Sequence, residues 1–252
     1  MTPIYSRIRD RAREIVSRFP PPDFYRDHSN ANSFSKNFLE NDPVVTKLRR
    51  FVATHLEDNY GHGMEHAIKV TIEAGALMEI EGRIAGYDKH TLGKRLRVVQ
   101  SAGLLHDIKR KAKDHAKQGA VYAREILESY PLSADEIEDV YRAIHNHEAF
   151  KENLRIERPE GALVADCLYD ADKFRWGPDN FAHTLWDMIS IYDPPLTQFM
   201  QRYPKGMDGI AKIKSTFRTT TGQKYGPQFI DFGLAIGQEL YTAIKTEFSE
   251  YL

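Results

Sequence analysis

The stretch Ala102-Gly103-Leu104-Leu105-His106-Asp107-Ile108-Lys109 constrains this chain more than any other. Upstream of it, Val98, Val99, Ala102 and Leu105 recur at three- and four-residue spacing, the stripe of a helix turned into a core. His106 follows Ala102 by four residues and Val99 by seven, so it lies on the buried side, and Asp107 comes directly after it. Burying an imidazole and a carboxylate at the end of an apolar helix is costly unless both are paired. A metal ion satisfies both at once. A neutral core histidine beside a capping aspartate is the alternative, and the pair alone favours it, because most buried polar groups are simply hydrogen-bonded. The decision rests on other residues.

Those residues lie on a chain that reads as helices almost throughout. Helices are predicted over about 3–18, closed by Pro20-Pro21-Pro22, and from Asp42-Pro43 to about Leu56. Residues 23–41, rich in Asn and Ser, read as an irregular connector. Further helices are predicted from Met64 to Glu81, from Thr91 through the His-Asp pair, over His115–Ser129, from the capping box at Ser133 to His147, and over Glu160–Arg175. Beyond Gly177-Pro178 the pattern weakens to helices over 182–190, 206–217 and 229–250, with Thr219–Pro227 as a surface connection. Valine, isoleucine and threonine do not alternate with polar residues over useful lengths, so the fold class is all-α. The expected organisation is an N-terminal helix and connector (1–45), a helical core (46–195) and a C-terminal extension of the same domain (196–252).

A net charge of -1 argues against a stable nucleic-acid complex and against a membrane surface. The single cysteine, Cys167, and the lack of a long apolar run fit a cytoplasmic protein.

Other polar residues gather on the predicted helices around the pair. His62 and His66 are four apart at the start of the preceding helix, and His115 begins the following one. His145 and His147, two apart, point in nearly opposite directions, so at most one of them is expected to face the site. Asp166, Asp170 and Asp172 share a helix whose inner stripe is Val164, Cys167, Leu168, Ala171 and Phe174. Carboxylates crowded along a buried helix repel one another, and a cation offsets that expense. Helical geometry alone does not choose between Asp170 and Asp172.

The order Gly-His-Gly-Met-Glu-His66-Ala-Ile-Lys-Val, Ala-Gly-Leu-Leu-His106-Asp107-Ile, Asp-Ala-Asp172-Lys-Phe resembles the HD-domain metal-dependent phosphohydrolase superfamily, over roughly residues 55–180. The resemblance implies an HD-domain helical bundle, here with additional N- and C-terminal helices. In it His66, His106, Asp107 and Asp172 hold a divalent ion (Mn, Fe, Co, Ni, Zn or Mg), and Asp172 is preferred over Asp170 because it follows alanine. His115 and His147 match positions that hold a second ion in some subfamilies, with His145 as a substitute for His147. The activity implied is hydrolysis of a phosphate ester by metal-bound water.

Departures narrow the substrate. Ile108-Lys109-Arg110-Lys111 replaces the pattern of alarmone hydrolases, and Ala149-Phe150-Lys151 replaces that of cyclic-dinucleotide diesterases. The expected substrate is a small phosphorylated molecule, a nucleotide foremost. Lys109, Arg110, Lys173 and Arg175 are candidate phosphate contacts, and Asp107, Lys109 and Glu65 are candidate catalytic groups. Glu148 and Asp166 are further acid-base candidates, and Trp176, Asn180 and Tyr169 are candidate pocket residues. A homodimer is compatible with this reading. Two other functions fit the same residues: an HD-type di-iron oxygenase and a non-catalytic ligand-binding module.

Overall fold

Whether these residues meet depends on how the helices pack. A computed structural model describes residues 2–56 and 63–252, and among these are twelve α-helices and no strand. The chain enters through α1 (Pro3–Ser17), α2 (Asp23–Asp27), α3 (Ser29–Asn41) and α4 (Pro43–His55). The expected connector over 23–41 is therefore two helices. Its polar composition hides the reason: Ser35 is fully buried, donating to Ile72 O at 2.7 Å and accepting from Gln100 Nε2 at 3.0 Å. Tertiary partners replace the apolar stripe that a sequence reading looks for. At the start of α4, the Asp42 carboxylate accepts from Val44 N and Val45 N at 3.1 and 3.0 Å, an N-cap with proline at the first helical position.

Five helices form the centre: α5 (Met64–Ile84), α6 (Lys89–Leu105), α7 (His115–Leu127), α8 (Ala134–His145) and α9 (Pro159–Phe174). The predicted capping box is present, with Ser133 and Glu136 bonded reciprocally at the head of α8. Helices α5 and α6 approach closely at Gly103, where a Cβ would stand 2.9 Å from the Thr71 Cα. After α8 the chain runs back along that helix. Asn146 pairs with both backbone groups of Leu154, and Arg158 reaches Asp139. The return lets α9 run parallel to α8 and finish at the same end of the bundle.

The C-terminal part comprises a π-helical turn (Asn180–Thr184), α10 (Leu185–Tyr192), α11 (Leu196–Ile213) and α12 (Thr220–Glu247). Two boundaries differ from expectation, both where the helix continues through a proline. Pro204 lies inside α11 and Pro227 inside α12, so Thr219–Pro227 is a helix start, not a surface connection. Thr219 caps α12 by accepting from Gly222 N at 2.8 Å. Tyr5 and Ile8 of α1 and Ile236 and Leu240 of α12 belong to the same apolar cluster as Val99 and Leu105. No helix among the described residues is long and apolar enough to cross a membrane.

Candidate metal centre

Helix ends position six polar side chains at one end of the bundle. His66 lies in the first turn of α5, His106 and Asp107 just beyond α6, His115 at the start of α7, His147 two residues beyond α8, and Asp172 in the last turn of α9. All six are at least nine-tenths buried. His66 Nε2 lies 3.3 Å from His106 Nε2 and 3.4 Å from Asp172 Oδ1, and His106 Nε2 lies 3.5 Å from Asp107 Oδ2. The second Asp107 oxygen, Oδ1, is 3.6 Å from His115 Nε2 and 3.6 Å from His147 Nε2. The carboxylate of Asp107 thus stands between two donor groups, His66–His106–Asp107 and Asp107–His115–His147.

The donor chemistry fits a divalent ion. His106 Nδ1 bonds Gly103 O at 2.7 Å and His147 Nδ1 bonds Ile144 O at 2.6 Å. A carbonyl only accepts, so Nδ1 carries the proton and each Nε2 lone pair faces the cluster, the usual way a protein orients a ligating imidazole. Donor atoms bound to one ion at roughly 2.1 Å lie roughly 3.0–3.4 Å apart. The His66–His106 and His66–Asp172 separations match this, and His66–Asp107 and His106–Asp172, each 3.9 Å, are wider. The protonation states suit ligation too. Burial brings His106 down to about 4 and, with Arg110 beside it, brings His115 down to about 3, so both rings are neutral at neutral pH. Burial disfavours the Asp172 carboxylate, but Lys173, at 2.5 Å, and the bond from His66 outweigh it and hold the group well below the usual range.

A cavity of about 450 Å³ opens on this cluster. It is lined by His66, Asp107, His147 and Asp172, by the cations Arg110, Lys173 and Arg175, and by Glu148, Trp176 and Asn180. Of the proposed phosphate contacts, three therefore face the cavity. Arg110 Nη1 donates to His115 Nε2 at 2.7 Å, and Arg175 is bound by Glu73, Asp179 and Tyr25. Lys109 does not face it. The turn after α6 swings its ammonium to 3.8 Å above the Tyr122 ring, in a neighbouring cleft beside Lys117 and Glu125. Glu65 does not face it either; its side chain is 70% exposed and pairs with Lys69 at 2.9 Å, a helical step away from the face that carries His66.

The three helix aspartates separate. Asp170 Oδ1 accepts from Arg218 N and its Oδ2 from Thr219 N and Thr219 Oγ1, each at 2.8 Å, so it anchors the start of α12. Asp166 faces Arg218 at 3.8 Å. His145 bonds Asn146 outside the cluster, and Tyr169 is buried under the Arg218 guanidinium. His62 lies outside the described residues. Sequence reasoning did not find Met188, Gly206, Gly209 and Ile213, which line the cavity from α10 and α11. The only sequence trace of that wall is the spacing Gly206-x-x-Gly209-x-x-x-Ile213, one face of a helix.

Comparison with curated proteins and with solved structures returned no match. A comparison with protein families matched the HD domain over residues 63–177. That segment contains all six clustered residues, and over it the chain is similar to the HD domain.

Proposed function

We propose that the chain cleaves a phosphate ester of a small phosphorylated molecule, a nucleotide being the member of that class whose base Trp176 would stack. The observation that carries this reading is the Asp107 carboxylate shared between two buried imidazole groups at the floor of an open cavity. His66, His106, Asp107 and Asp172 would hold a divalent ion, and His115 and His147 a second, which when bound would supply Lewis acidity and a water of lowered pKa. The chain's own residues do the rest. Gly103 O and Ile144 O hold the imidazoles in the ligating tautomer, and Lys173 keeps Asp172 ionised. Arg110, at the cavity wall, is placed to take a phosphoryl oxygen. Glu148 lines the cavity with its side chain 29% exposed, 3.9 Å from His115 Nδ1. It is the carboxyl group placed for acid-base work, as base towards the attacking water and then, once protonated, as acid towards the leaving oxygen.

The test is metal analysis together with a screen of nucleotides and phosphate esters in added Mn, Co, Ni and Mg. Turnover that disappears in Asp107→Ala and falls about 10²–10⁴-fold in Glu148→Gln is the expected result. Metal without turnover of any ester sinks the reading. A di-iron oxygenase is the second reading, favoured by the division of the ligands into two groups around Asp107. About two iron ions per chain, one for each group, with no ester hydrolysis would establish it.

A further inference from the structure

The cavity over the metal centre does not end at its polar floor. A second cavity of about 180 Å³ adjoins it, and Trp176, Asn180, Met188 and Gly206 line both. The walls of this second chamber come chiefly from Leu185, Met188, Phe199, Tyr203 and Ile210. The Tyr203 hydroxyl is turned away, donating to Gly237 O at 2.8 Å, so its ring is what the chamber meets. Two aromatic side chains are also left in solvent around the first cavity: Trp176, 38% exposed, and Phe150, 67% exposed. Phe150 has φ 62°, a left-handed backbone that costs a non-glycine residue about 1–2 kcal/mol. Exposing a phenyl ring at a strained position gains nothing within this chain. On α11, Gly206 and Gly209 face the first cavity, and a Cβ at either would meet nothing within 4 Å. Packing therefore does not require glycine there, although glycine in a helix costs roughly 1 kcal/mol relative to alanine.

We infer that the two joined cavities bind an amphipathic phosphate monoester, its phosphoryl head at the metal centre and an alkyl or aryl group passing Trp176 and Gly206 into the chamber of α10 and α11. This rests on the phosphohydrolase reading for the head alone. Arg175 is engaged by Glu73 and Asp179, whereas Lys173 and Arg110 stand beside the carboxylates that would hold the ion. The phosphoryl head thus has its cationic partners at the centre, and the chamber beyond offers chiefly apolar walls to the rest of the molecule. The chamber holds on the order of six methylene-sized groups at roughly 30 Å³ each. Gly206 lines both spaces, so a side chain placed there would enter the passage between them.

The experiment is calorimetric titration of the Mn-loaded protein with methyl-, butyl- and octylphosphonate, and with 1-octanol, on the wild type, Gly206→Ala and Gly206→Leu. Phosphonates are not hydrolysed, so binding is read apart from turnover. Affinity is expected to rise with chain length by up to about fourfold per methylene in the wild type. That slope should shrink in Gly206→Ala and vanish in Gly206→Leu. Both variants are expected to melt no lower than the wild type, since the added atoms enter open space in a helix. Phosphonates that bind without a chain-length slope, or a slope that survives in Gly206→Leu, overturn the inference while leaving the phosphoryl head in place. Octanol binding without phosphonate binding supports the chamber and overturns the head. Binding of neither overturns the chamber.

Discussion

At the scale of single residues, Asp107 and Arg110 are the groups placed to govern how many ions the candidate centre would hold. Asp107 offers one oxygen to each imidazole group, so Asp107→Ala is expected to abolish bound metal altogether. Arg110 competes with a second ion: its guanidinium donates to His115 Nε2 at 2.7 Å, occupying the lone pair that would ligate. A cation at that point repels a second one at close range. Arg110→Met is therefore expected to raise the affinity of the His115–His147 side by about tenfold or more, read as the second step of a Mn titration. An unchanged second step would show that Arg110 swings clear without cost. Supporting contacts count as well, because partners of a ligand typically change metal affinity 10–100-fold when lost. Lys173 beside Asp172 is such a partner.

Among the helices, caps and anchors hold the ends that carry ligands. Asp170 is the tie between α9 and α12, and it places α12 against the helix that bears Asp172. Burial brings its carboxyl up to about 6, although the Arg218 and Thr219 amides and the Thr219 hydroxyl oppose that rise. Asp42 anchors α4 and also accepts from Arg97 Nη2 at 2.7 Å. Burial disfavours its ionised form, but Arg97 and the Val44 and Val45 amides outweigh that and lower its pKa below the ordinary value. A carboxylate depressed in the folded state contributes stability that is present above its unfolded pKa, about 3.9, and is lost as pH falls through the folded value. Asp42→Ala is accordingly expected to destabilise the protein by about 1–2 kcal/mol at pH 7. The gap to the wild type should close below about pH 4, as measured by urea unfolding across that range. A gap independent of pH would remove the ionic part of this account.

For the whole molecule, the candidate ligands come from five helices, so binding of an ion would be coupled to folding. The buried carboxylates of Asp107 and Asp172 face one another across His66 and His106, an arrangement that a cation relieves. At metal concentrations about a hundred times Kd, each ion should add about 2.7 kcal/mol to folding stability. For a chain of 252 residues this corresponds to a rise in Tm of about 5–10 °C, reversed by a chelator. A Tm indifferent to Mn, Co and Zn would mean that the site takes none of them.

What could be read from the sequence was what is local. The apolar stripe ending in His106-Asp107 and the capping box at Ser133 are each patterns within one helix, and the order of His66, His106-Asp107 and Asp172 along the chain carries the resemblance to a known family. Local pattern sufficed for an all-α bundle, and the resemblance supplied the candidate ligands. What the sequence left open depended on partners distant in the chain. Ser35 lies in a helix because Ile72 and Gln100 receive it, and Asp170 and Asp172 part ways because one meets the start of α12 and the other meets His66. The side chains of Lys109 and Glu65 adjoin the cluster in sequence but leave it in space, one for Tyr122 and the other for Lys69. The apolar chamber has no motif at all, because its shape comes from how α10 and α11 lie across the bundle's end. A helix's periodicity states which face is buried; only packing decides what that face meets.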